Sequence, residues 1–137
     1  QFARENPIMG TCAGLILMAR EVSDKRVKPL GLLDIVVDRN AYGRQIQSST
    51  EIVNYCFNSG KEIELSTTLI RAPKISKFGE NVKVLGKLDE FPVAVLSGHF
   101  LGLSFHPELN NIDLFHQILF DSTSDYYYKK STKFYAN

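Results

Sequence analysis

Cysteine is scarce in this chain. Cys12 and Cys56 are the only two among 137 residues, too few for the disulfide framework that staples small secreted domains. Neither sits in a C-x-x-C or H-x-x-x-H pattern, so the sequence offers no metal-ligand set. Long hydrophobic runs are missing too. No apolar stretch approaches the ~20 residues that cross a bilayer, and residues 1–10 carry charge and a proline where a signal peptide has an apolar core. Charge of neither sign dominates, with 16 Lys and Arg against 15 Asp and Glu. That balance removes the global field that draws a domain to nucleic acid or an anionic membrane. No internal repeat or low-complexity linker interrupts the first 120 residues. What remains is the composition of one ordinary globular domain, 44% apolar and 23% charged. A cytoplasmic setting with both thiols reduced is expected.

Against this plain background Cys12 stands out. It lies in Gly10-Thr11-Cys12-Ala13-Gly14, after one apolar run and before another. A cysteine with glycine two residues away on each side fits a sharp strand-to-helix turn that lifts the sulfur over the end of a sheet. The start of the following helix and a neighbouring imidazolium are both expected to lower the thiol pKa. The Ala13 N–H is placed to meet an oxyanion formed by attack of the sulfur. Far downstream, Phe105-His106-Pro107-Glu108 ends another apolar run. His106 is the candidate base and Glu108 the acid that orients it, with Pro107 ending the strand so that a turn returns the carboxylate to the ring. Alone, a His-Pro-Glu is most simply a turn after a strand; the cysteine elbow is what gives it weight. His99 reads as a turn residue, His116 as the polar side of a helix, and Cys56 as a small buried hydrophobe in a strand.

The order of elements follows from pattern. Residues 1–6 read as the end of a helix stopped by Pro7, and residues 8–11 as a strand buried on both faces. A helix is expected over 13–21, a loop over 22–29 and a strand over 32–37. Residues 39–45 form a polar loop. Strands are then expected over 45–57, 66–70, 82–87 and 93–96, with a turn at Asn58-Ser59-Gly60. Gly98-His99 has the form of a two-residue hairpin turn leading into a strand over 100–105. Asn111 is the expected cap of a last helix carrying Ile112, Phe115, Ile118 and Leu119. The domain is expected to span 1–120. Residues 121–137 are a polar tail whose Tyr126-Tyr127-Tyr128-Lys129-Lys130 is more simply solvated than a nucleic-acid contact.

Four segments in this order, GTCAGLILMA, LGLLDIVVDRNAYGRQ, IRAP and SFHPEL, closely resemble the glutaminase subunit of pyridoxal 5′-phosphate synthase, a class I (triad) glutamine amidotransferase. The resemblance runs from Pro7 to about Phe120. It implies an α/β fold, a three-layer flavodoxin-like sheet with helices on both faces. It also implies a triad of Cys12, His106 and Glu108, and a glutamine site lined by Arg39 and the Ile70-Arg71 pair. An arginine suits the α-carboxylate of glutamine because its planar fork bonds a carboxylate at two points. Without the family, Arg39 and Arg71 would each read as surface ion-pair partners. The family implies no cofactor and no metal. It implies a hetero-oligomer in which the ammonia passes to a barrel-shaped synthase.

One departure shapes the expectation. Members of the family begin well before this chain does, with the first strands of the sheet and a glycine-rich Pro-Gly-Gly-Glu-Ser type segment that supplies a second oxyanion donor. These residues contain no such motif. The chain, which starts at Gln1, is therefore expected to be the later portion of the domain, lacking its first strands. Its independent activity is expected to be low, since one lost oxyanion donor costs ~100- to 1,000-fold in rate. The alternatives are a non-catalytic synthase-binding subunit, a triad amidotransferase of another pathway, or a cysteine hydrolase acting on another amide. Amidotransferases of anthranilate or carbamoyl phosphate synthesis usually carry glutamine where this chain has Ile16.

Overall fold

The computed structural model describes residues 6–39, 48–57 and 60–129. All but Asn6 of the helix end expected over 1–6, most of the polar loop (40–45), the first residues of the 45–57 strand, the Asn58-Ser59 part of the turn and the tail beyond 129 lie outside the described residues.

A six-stranded mixed sheet forms the frame. Its strands are β1 (Ile8–Thr11), β4 (Ser48–Cys56), β5 (Glu62–Ile70), β7 (Lys83–Leu88), β8 (Phe91–Ser97) and β9 (Phe100–Leu103), in the spatial order β1-β9-β8-β7-β4-β5. A smaller sheet has the order β2 (Glu21–Val22), β3 (Ile35–Asp38), β6 (Lys74–Phe78). Helix α1 (Ala13–Met18) lies on one face of the large sheet. Its Leu15 and Met18 share a core with Leu33, Ile35, Val37, Ile75 and Val95. Helix α2 (Leu114–Phe120) covers the other face, where Phe115, Ile118 and Leu119 join Val53, Tyr55, Leu101, Leu103 and Phe105. The result is the expected α/β class, with helices on both faces.

Alternation explains most of the strands. In β4 the burial pattern turns inward at Val53 and Tyr55 and outward at Asn54 and Cys56, because successive side chains of a strand face opposite ways. Cys56 is therefore exposed, not the buried hydrophobe expected of it, and its Sγ lies 3.4 Å from Glu62 Oε1. Tyr55 carries the inward face. Its ring stands 5.2 Å from Phe115 and 6.2 Å from Phe105, and its hydroxyl shares a 2.7 Å hydrogen bond with the buried Thr67. Each tilted aromatic pair adds ~0.5–1.5 kcal/mol beyond simple burial. The Gly98-His99 hairpin forms as the sequence predicts, with Gly98 at φ 59° and Ser97 opposite Phe100.

Several boundaries differ from the sequence pattern. α1 stops at Met18, not Glu21, because Ala19 turns extended and Glu21–Val22 pairs in parallel with Val36–Val37. The Arg20 N–H then donates to Ile35 O, so sheet pairing overrides helix propensity there. β1 is not buried on both faces. It ends the strand order with β9 as its partner among the described residues, and only Gly10 in it is buried. β6 was not anticipated. Asn111 does not cap α2. It takes the left-handed conformation (φ 55°, ψ 36°) that closes a 3-10 helix over Pro107–Asn110, and Asp113 occupies the α2 N-cap position. After α2 the chain turns, and Tyr126 packs 5.4 Å from Phe57.

Candidate active site

Parallel pairing brings the two motifs together. Thr11 of β1 lies opposite Leu103 of β9, so both strands end at the same edge of the sheet, where α/β proteins place their ligands. Cys12 follows one strand and Ser104-Phe105-His106 the other. The Cys12 N–H donates to Leu103 O at 2.9 Å, and its thiol donates to Ser104 O at 3.4 Å. The expected elbow is present. Cys12 has φ 50° and ψ −103°, a conformation a non-glycine residue seldom adopts, and it occupies the N-cap position of α1.

The glycines show how the elbow is built. A methyl group at Gly10 would overlap Met18 Sδ and come within 2.7 Å of the Gly14 backbone, so Gly10 lets α1 fold back directly over β1. A methyl at Gly102 of β9 would reach 2.5 Å from Leu15 Cδ1 and 2.8 Å from Leu33 Cδ1. Gly14 is different: nothing lies within 4 Å of where its methyl would stand. One side of the cysteine is packed tight and the other is open. Ala13, exposed and first in α1, has no intrahelical acceptor for its N–H.

The thiol itself corrects an expectation. Its pKa is not lowered; burial, and after it the Glu108 carboxylate, push Cys12 up to about 11. α1 has six residues, so little helix dipole is available to offset either effect. The resting group is a neutral thiol held by a carbonyl.

His106 leaves β9 in extended conformation, and Pro107 opens the 3-10 helix that carries Glu108 in its first turn. Proline suits that first position, where no N–H is needed. The turn brings Glu108 Oε2 to 3.4 Å from His106 Nδ1, an ion-pair distance once the imidazole is protonated. That leaves Nε2 as the nitrogen not engaged by the carboxylate. His99 and His116 take no part in this cluster: His99 stacks on Phe100 in the hairpin turn, and His116 neighbours Phe120 on α2.

The residues expected to bind substrate are placed unevenly. Arg39, just after β3, bonds Asp24 Oδ2 at 3.0 Å through its guanidinium. Asp24 is shared with Arg26, whose hydrogen bonds hold its carboxyl well below the usual range, with the Arg39 charge adding to the effect. Arg39 thus sits in the surface ion pair that its residue type alone predicts. Ile70 and Arg71, at the end of β5, are both exposed. Arg71 has φ 45°, and the exposed Ile70-Arg71 pair is flanked by the buried Leu69 and Ala72. Two contributors were not singled out in the sequence. Ser104, buried inside an apolar run, supplies the carbonyl that holds the thiol. Asn110 accepts a 3.2 Å bond from the Thr68 N–H of β5. Among the described residues, no three His, Cys, Asp or Glu side chains converge as a metal site, and no helix is long and apolar enough to cross a membrane.

Comparison with known proteins bears on this arrangement. Pyridoxal 5′-phosphate synthase subunit PdxT of Thermoplasma volcanium is 45% identical over 107 residues, covering 75% of this chain and 49% of that protein. The subunit of the same name from Koribacter versatilis is 43% identical over 118 residues, covering 86% and 60%. The chain thus spans about half to two thirds of the length of the curated relatives it matches. A crystal structure of a glutamine amidotransferase superposes with a TM-score of 0.73 at 38% identity, covering 82% of this chain and 58% of that one. The model of the SNO glutamine amidotransferase family matches residues 1–123, which include both the cysteine elbow and the His-Pro-Glu turn, and the chain belongs to that family.

Proposed function

We propose that this chain carries the nucleophile, base and orienting acid of a glutaminase. The observation that supports it most is the juxtaposition at one sheet edge of a positive-φ cysteine with a histidine already paired to a carboxylate. In the reaction, the Cys12 proton passes to His106 as sulfur attacks the side-chain amide carbon of glutamine. The Ala13 N–H faces the developing oxyanion. Glu108 steadies the imidazolium, which gives its proton to the departing ammonia. Water then cleaves the γ-glutamyl thioester, releasing glutamate and restoring the thiol. A resting pKa of about 11 suits this route, since the thiolate forms together with the imidazolium and not ahead of it. Arg71, exposed at the end of β5, is the better ligand for the α-carboxylate; Arg39 reaches it only by releasing Asp24.

The relatives named as pyridoxal 5′-phosphate synthase subunits support a destination for the ammonia. It passes to a barrel-shaped synthase partner in a hetero-oligomer that makes pyridoxal 5′-phosphate, in the cytoplasm and without a cofactor on this chain. The elevated thiol also favours a second reading, a synthase-binding subunit with no turnover of its own.

Acid quenching during incubation with glutamine, with and without the synthase subunit, separates the two. The glutaminase reading expects a γ-glutamyl adduct on the Cys12 peptide by mass spectrometry and glutamate release that Cys12→Ala abolishes. Glutamate release that persists in Cys12→Ala overturns the nucleophile. Absence of both adduct and glutamate in either mixture leaves the non-catalytic subunit.

A further inference from the structure

Asn110 joins two segments that the proposed reaction needs together. Among the described residues β5 ends the strand order of the large sheet, with β4 as its partner, so no described strand receives its outward N–H groups. One of these, at Thr68, donates to Asn110 Oδ1 at 3.2 Å. Asn110 is the last residue of the 3-10 helix whose first turn holds Glu108. Two positions beyond Thr68 the strand reaches Ile70, and then Arg71.

Both sides of this clasp are stiff. On one side, Asn111 takes a left-handed turn, its N–H donates to Glu108 O, and the Ile112 N–H donates to Pro107 O. On the other side, Arg71 is left-handed directly before the buried Ala72, and the exposed Ile70 before it follows the buried Leu69. Left-handed conformations in non-glycine residues persist only where their surroundings hold them. A displacement at either end therefore passes to the other, because neither segment has slack to absorb it.

We propose that Asn110 is a positioning residue that sets the Ile70-Arg71 segment relative to the His106–Glu108 pair, and so the fit of the glutamine α-carboxylate when its amide meets Cys12. This rests on the glutaminase reading for its substrate, but the mechanical link stands apart from it.

The test uses the whole chain in a Cys56→Ser background, so that Cys12 alone is alkylated by iodoacetamide. Asn110→Ala is expected to raise the glutamine concentration that protects Cys12 by about three- to tenfold, the scale of one net hydrogen bond. Asn110→Asp keeps an acceptor oxygen and is expected to stay near the parent value. Tyr126→Ala removes the ring packed on Phe57 at the far end of the antiparallel β4–β5 pair and is expected to lower thermal stability without changing protection. Protection unchanged in Asn110→Ala, or lost equally in Asn110→Asp, overturns the proposal. If glutamine fails to protect the parent, the glutamine reading fails, and amide resonances decide the link by themselves. Asn110→Ala must then shift both Arg71 and His106, where a shift at one end only overturns it.

Discussion

The two cysteines of this chain occupy opposite kinds of place. Cys12 follows a strand, adopts a positive φ, is half-buried, and lies against the segment leading to His106. Cys56 ends a long regular strand in extended conformation and is exposed beside Glu62. Both thiols are raised above their ordinary value, yet for different reasons. Burial leads at Cys12, with Glu108 second; at Cys56 the hydrogen bond to Glu62 leads. A perturbed thiol is therefore no mark of a nucleophile by itself. Backbone strain, packing and a nearby base distinguish the first from the second.

The largest effect that breaks this comparison is on turnover. On the proposed glutaminase reading, and with the synthase subunit added, Cys12→Ala is expected to reduce glutamate release by at least ~1,000-fold, the scale at which removal of a nucleophile acts. Cys56→Ala, on an exposed strand position, is expected to leave it within about twofold. Equal losses would mean that the elbow geometry carries no catalytic meaning. Coupled-enzyme detection of glutamate is sufficient for the measurement.

The next effect is on folding, and it sharpens what makes the elbow. Gly10→Ala drives a methyl into Met18 and the Gly14 backbone, and overpacking of this kind costs ~1–3 kcal/mol. Gly14→Ala meets open space within α1, where alanine is the better helix former by up to ~1 kcal/mol. Urea denaturation should thus move in opposite directions for two glycines equally distant from Cys12. If both destabilise, the open side of the elbow is not open.

Much of this was legible in the sequence, and the exceptions have physical causes. The elbow, the Gly98-His99 turn and the His-Pro-Glu turn rest on glycine and proline, whose backbone preferences act locally. The end of α1 at Met18 and the small β2 strand depend on Ile35 and Val37, more than ten residues away, and no local preference reveals them. The apolar neighbours of Cys56 suggest burial, but strand parity places it on the face opposite the buried Tyr55. The thiol of Cys12 was expected to ionise easily, since helix start and imidazole were visible but the depth of burial was not. Asn110 carries no local signal because its partner, Thr68, lies 42 residues away in β5.

The smallest effects separate burial from neighbour charge at the two thiols. Glu62→Gln removes the leading cause at Cys56, so its alkylation profile should fall back towards that of a free thiol. Glu108→Gln removes only the second cause at Cys12. Its profile should move down yet remain above the ordinary value, while the proposed role of Glu108 as orienting acid expects a loss of turnover. The folded chain also holds the Cys12 proton to higher pH than the unfolded chain does. The unfolded state thus gains by ionising first, and stability should decline as pH climbs from about 9 towards about 11. Cys12→Ala should flatten that part of the decline, whereas Cys56→Ala, at an exposed site, should change it little. Thermal melts across this range, paired with peptide-resolved alkylation rates, check both halves. A Glu108→Gln variant whose Cys12 titrates like a free thiol would show that charge, and not burial, governs this thiol.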